Sequence, residues 1–183
     1  FLSNPDPRLG FALLTDYADA SEQHEEPALL DSAVEGIALL NERHRGQQGA
    51  PFLLLHRNPL WNPAERRFMG WERKRGKLEE LNRLLRGHED TSYVHRVGDP
   101  ARLRDIRFVI TLDSDTELPL GAAQRLIGLL AHPLNQAVFD AGTGRVIDGY
   151  TVVQPRLETS PSSLLSTPFA RIFAGRTGLD IYT

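Results

Sequence analysis

Phe108-Val109-Ile110-Thr111-Leu112 runs directly into Asp113-Ser114-Asp115-Thr116. Five residues dominated by aromatic and β-branched side chains, closed by an acidic turn, read as a buried strand with two carboxylates at its carboxyl end. Working outward, two more apolar runs have the same form. Phe11-Ala12-Leu13-Leu14-Thr15 ends in Asp16, and Phe52-Leu53-Leu54-Leu55 lies farther along. Around them the period changes to that of a helix. Residues 28–44 set Leu29, Ala33, Ile37 and Leu40 on one face, and residues 76–86 set Leu78, Leu81 and Leu85 on another, with Gly87 as the stop. A third helix is predicted over 121–131. This alternation predicts an α/β fold with a mostly parallel sheet and covering helices, and in such sheets ligands bind off the carboxyl ends of the strands. Arg57 to Gly70, rich in Trp, Pro and Arg, reads as an irregular excursion. Residues 137–153 read as a hairpin turned at Gly142-Thr143-Gly144, and Ser160 to Thr183 is assigned no element.

The 183 residues suit one domain with one sizeable core. Hydrophobic residues make up 40% and charged residues 25%, ordinary for a soluble globular chain. A net charge of -3 supplies no basic field, so neither nucleic acid nor contact of this segment with an anionic membrane is expected. The lack of cysteine excludes disulfides, zinc-thiolate sites and a thiol nucleophile. No apolar run approaches the ~20 residues that span a bilayer. Phe1-Leu2-Ser3-Asn4-Pro5 has no basic or apolar leader character, and both ends are expected to be cut from something longer.

Asp113 and Asp115 stand two apart after a strand, a spacing at which both can face one hard divalent cation. Mg²⁺ or Mn²⁺ takes oxygen ligands and completes its shell with water and phosphate. The local alternative stays open, because Asp and Ser are also favoured in turns and helix caps. Upstream, Arg73-Lys74-Arg75-Gly76-Lys77 places four cations at a helix start, where backbone N–H groups and Lys77 favour a diphosphate and Gly76 permits close approach. The competing reading is a solvated basic face paired with Glu79 and Glu80.

These elements in this chain order resemble glycosyltransferases of the GT-A fold, especially the family-two processive type. The pattern is a strand ending in an acid (Asp16), a Lys-x-x-x-Leu-Asn helix (Lys77 to Asn82), then Asp113-Ser114-Asp115. The Asp113-Ser114-Asp115-Thr116 segment also resembles the nucleophile motif of haloacid-dehalogenase-type phosphatases, but no lysine follows it here. A longer match is to the glycosyltransferase region of bacterial cyclic β-1,2-glucan synthases. It is carried by Phe11–Asp16, the nineteen residues Met69–Gly87, Ile110–Thr116, Ala131–Asn135 and Phe169–Gly175, and it covers nearly the whole chain.

The resemblance implies that residues 1–183 are the donor-binding part of an incomplete GT-A-like domain. Its first strand would precede Phe1, and its catalytic base would lie beyond Thr183. The parent would be an inverting enzyme at the cytoplasmic face of a bacterial inner membrane, using UDP-glucose and a glucan acceptor to build β-1,2-glucan. Asp16, Lys77, Asn82 and Asp113 would bind the nucleotide sugar, and Asp115 with Asp113 the Mn²⁺ or Mg²⁺. The isolated piece is expected to be inactive. The competing class is a non-catalytic binding or assembly module of a larger membrane protein.

The histidines at 24, 44, 56, 88, 95 and 132 have no metal-ligand spacing and read as structural or surface residues. Trp61 and Trp71 are expected to anchor the excursion to the core. Gln154 and Arg156 are secondary candidates for an acceptor or phosphate contact. Asp140 and Asp148 are expected to be solvated around the hairpin turn.

Overall fold

The computed structural model describes residues 1–23, 26–46 and 49–155. The chain forms two compact units, residues 1–123 and 124–183. The first holds β1 (Phe11–Asp16), α1 (Pro27–Arg43), β2 (Phe52–Arg57), β3 (Leu60–Asn62), β4 (Arg67–Met69), α2 (Arg73–Leu85) and β5 (Tyr93–Val97), in that order. α3 (Ala122–Ala131) crosses the boundary, and β6 (Val138–Phe139) and β7 (Val146–Asp148) belong to the second unit.

β2 organises the first unit. All six of its residues are buried, which explains a sequence without polar alternation. Because strand side chains alternate, Phe52 and Leu54 face a cluster with Ile37 of α1, while Leu55 faces Leu81, Leu84 and Tyr93. Asn41 fastens α1 to the strand: its amide donates to Phe52 O and accepts from Phe52 N, both at 2.9 Å. The inward face of α1 is therefore Leu30, Ala33, Val34 and Ile37, rotated from the expected stripe. Leu29 is 66% exposed.

The sheet is mixed, with order β1-β2-β5: β1 runs parallel to β2, and β5 antiparallel to it. This corrects the mostly parallel sheet expected from the sequence; β5 went unread because His95 and Arg96 interrupt its apolar residues Tyr93, Val94 and Val97, which form neither a run nor a strict alternation. The strand expected over Phe108–Leu112 is also corrected. Those residues have no strand pairing among the described residues, and Val109 and Leu112 remain 47% and 48% exposed. Apolar composition supplies a reason to be buried, but a strand needs a ladder partner.

The excursion after β2 is not irregular. β3 and β4 pair antiparallel, with Asn62 Oδ1 accepting from the N–H groups of Ala64 and Glu65 to shape the turn. Trp61 packs against Phe68 across this hairpin and stays 50% exposed, so it anchors the hairpin and not the core. α2 begins one turn earlier than expected, at Arg73. Asn4, itself buried, donates to Leu118 O and Pro119 O and accepts from Ala123 N, which supports the first turn of α3.

In the second unit β6 and β7 form the expected hairpin. Asp140 accepts from Thr143 N and Oγ1 at 2.7 Å each and so caps the turn at the exposed surface. Asp148 accepts from Gly149 N. Among the described residues no helix is long and apolar enough to cross a membrane.

Candidate functional site

The parallel register of β1 and β2 sets Thr15 beside His56 and Asp16 beside Arg57. Both pairs are chemically complementary. Thr15 Oγ1 and His56 Nδ1 share a 2.8 Å hydrogen bond, and Arg57 Nε donates to Asp16 Oδ1 at 2.6 Å. Arg57 is fully buried and, by strand alternation, projects toward α2. There Nη1 donates to Glu80 Oε2 and Trp71 O, both at 3.0 Å, and Nη2 donates to Arg73 O at 3.1 Å. Lys77 closes the other side of Asp16, with Nζ 2.7 Å from Oδ2. Glu80 is completed by Ser92, whose N–H and hydroxyl donate to it at 2.9 and 2.6 Å.

The cluster balances two carboxylates with two cations. Burial alone would push the Asp16 carboxyl upward, but the bonds from Arg57 and Lys77 outweigh it and hold the group below its ordinary range. Glu80 is likewise held down, against the burial effect, by Ser92 and Arg57. Burial raises the Tyr93 hydroxyl, which donates to Lys77 O at 2.8 Å.

Gly70 lies directly over this cluster. A Cβ there would stand 2.5 Å from Arg57 Nη2 and 2.8 Å from Asp16 Cγ. Gly76 has a related role, different from the one its sequence suggested. Its missing side chain makes room for Trp71, whose carbonyl oxygen would be 2.0 Å from a Cβ, so the space belongs to helix packing and not to a ligand. Glu72 and Arg73 both have φ of 49°, so α2 starts from two consecutive left-handed residues. The bonds from Arg57 to Trp71 O and Arg73 O hold that start.

One turn from Lys77 on the same helix, Lys74 ion-pairs with Asp113. Asp16 and Asp113 are thus each tied to the first turns of α2, through Lys77 and Lys74 respectively. Asp115 is exposed on the turn that Thr116 N closes onto Asp113 O. Asn82 is not brought to this group: it is exposed and lies five residues, about 140°, around α2 from Lys77. Arg57 and Gly70 are the residues that sequence reading missed, while Lys74 was read only as one of four cations and Glu80 only as a surface partner of the basic face. The available signal was the matched endings Leu-Thr-Asp and Leu-His-Arg of two strands that pair in register.

Asp113 and Asp115 are suitable in kind for Mg²⁺ or Mn²⁺, being carboxylates on an exposed turn. Among the described residues no group of three or more His, Asp or Glu gathers to hold a metal. A cation would draw the rest of its shell from water and a bound phosphate, as Mg²⁺ ordinarily does, and would compete with Lys74 for Asp113.

His56 is buried against Tyr17, with ring centroids 4.2 Å apart, and fills a structural place as expected. Gln154 is exposed, while His24, Arg156 and the 160–183 stretch lie outside the described residues.

No protein-family model matches the chain. The whole chain is related to part of an enzyme of cyclic β-glucan synthesis. It aligns at 44% identity over 186 positions with cyclic beta-(1,2)-glucan synthase NdvB of Rhizobium meliloti (strain 1021), and it spans 6% of that protein's length.

Proposed function

We propose that this chain carries the donor-binding part of an inverting glucosyltransferase that uses UDP-glucose to build β-1,2-glucan, with a GT-A-like arrangement in the complete enzyme. The observation that carries the reading is the convergence of Asp16 and Asp113 on the basic start of α2 through Lys77 and Lys74. The similarity to part of a cyclic beta-(1,2)-glucan synthase supports the β-1,2-glucan side of the reading. Asp16 contacts the nucleoside, Lys77 and Lys74 turn toward the diphosphate, and Asp113 with Asp115 holds a divalent cation. A cation on those two carboxylates supplies charge neutralisation for a diphosphate leaving group. This exchange of partners is chemically balanced, because each lysine trades a carboxylate for a phosphate oxygen.

The reading concerns donor binding. Inverting transfer also needs a general base for the acceptor hydroxyl, and none of the residues assigned here has that role. The test is calorimetric titration of UDP and UDP-glucose with and without Mn²⁺. Asp115→Ala is expected to abolish the metal-dependent part of UDP binding while changing stability by under about 0.5 kcal/mol, because an exposed turn residue has little packing to lose. Equal Mn²⁺-dependent affinity in variant and parent would remove Asp115 from the metal site.

A further inference from the structure

We propose that Arg57 is a positioning residue for the nucleotide site, setting the acid of β1 in register with the basic start of α2 without touching the ligand. The inference rests on the donor-site reading above and identifies what holds that site together. Arg57 has no exposed surface, so a bound nucleotide does not reach it. Four hydrogen bonds leave its guanidinium and go to three separate parts of the chain. One takes Asp16 at the tip of β1, one takes Glu80 in the middle of α2, and two take the carbonyls of Trp71 and Arg73 at the start of that helix.

Each bond has a consequence for the site. The bond to Asp16 fixes one carboxylate oxygen, so the carboxylate cannot swing freely, and the second oxygen is left to Lys77. The carbonyl bonds hold α2 in the left-handed start from which Lys74 and Lys77 project. Glu80, braced by Ser92, neutralises Arg57 from the far side and keeps the guanidinium from being pulled wholly toward Asp16. Gly70 is the space requirement of the same device, since any side chain there would occupy the position of the guanidinium and the carboxylate. Lysine cannot replace Arg57 in this role, because a point charge cannot reach four acceptors in a planar fan.

Arg57 and Lys77 bond the Asp16 carboxylate, His56 and Tyr93 feel its charge from farther off, and Glu80 shares its guanidinium partner. Without the Arg57 bond the carboxyl loses its largest favourable hydrogen-bond partner and titrates at higher pH. The experiment measures UDP affinity in the presence of Mn²⁺ across pH 3 to 8, in the whole protein that carries these residues. The variants are R57M/E80M, G70A and D16N, with folding checked by circular dichroism.

R57M/E80M removes the buried pair together, which leaves no uncompensated charge and favours a folded product. It is expected to bind UDP at least tenfold more weakly, with the acidic limb of the binding profile moved to higher pH. G70A is expected to move both quantities in the same direction by displacing the guanidinium, and it decides the matter if the double variant does not fold. A folded R57M/E80M, or failing that G70A, with parent affinity and an unmoved limb overturns the positioning role, provided D16N has lost binding. Parent affinity in D16N overturns the donor-site reading itself, and the positioning role with it.

Discussion

At the residue scale the chemistry concentrates in the last two positions of paired strands. Arg57 is buried only because it has four acceptors, and the carboxylates beside it are held by it together with Lys77 and Ser92. Arg57→Ala is therefore expected to lower stability by about 3–5 kcal/mol, because it leaves buried Glu80 without a cation and Asp16 with Lys77 alone. Urea unfolding at neutral pH measures this, and a loss under about 1 kcal/mol would mean that water replaces the guanidinium. His56 has the opposite character. Burial, and then the neighbouring His95, lower its pKa from the ordinary 6.5, and Nε2 has no hydrogen-bond partner among the described residues. The unfolded chain then binds more protons than the folded one below about pH 6.5, so acidification through that range costs stability. His56→Gln is expected to flatten the dependence of Tm on pH between 5.5 and 7.5; an unchanged slope would assign it to other groups.

At the element scale the two faces of β2 divide the first unit between α1 and α2. A buried leucine at the centre of such a strand has no route to solvent and little room for collapse around it. Leu54→Ala is expected to cost about 2–5 kcal/mol, read as a fall in the urea midpoint at constant slope. The start of α2 is packed more tightly still. Gly76→Ala places a methyl group against the Trp71 carbonyl and is expected to cost about 1–3 kcal/mol, although alanine is the better helix former. A neutral or stabilising result would show that Trp71 moves aside freely. The helices and the β6–β7 hairpin were legible in the sequence because their periods and turn residues are local. The β3–β4 hairpin was hidden inside a Trp- and Arg-rich stretch because its pairing depends on an Asn62 turn and on the bridge between Ala20 and Phe68.

At the scale of the first unit, the ion cluster makes stability depend on acid. Asp16 and Glu80 have folded pKa values below their unfolded ones. The stability they contribute is complete above the unfolded carboxylate range near pH 4, and it is lost as the pH falls through the lowered folded values. Unfolding free energy measured from pH 6 to pH 2 is expected to drop below about pH 4. If D16N/E80Q reproduces the parent profile, carboxylates elsewhere carry the acid sensitivity.

The sequence by itself determined which segments are apolar, where the helices run, and that acids and cations gather at the ends of apolar runs and helices. These are properties of neighbouring residues, set by period, capping and composition. Only the tertiary structure decided that β5 runs antiparallel, that Phe108–Leu112 lacks a ladder partner, that Asn82 faces away, and that Lys74 takes Asp113 while Lys77 takes Asp16. It also decided the role of Arg57, which looked like the first residue of a loop. The physical reason is that a buried charge is permitted only by partners, and its partners here lie 14 to 41 positions away along the chain.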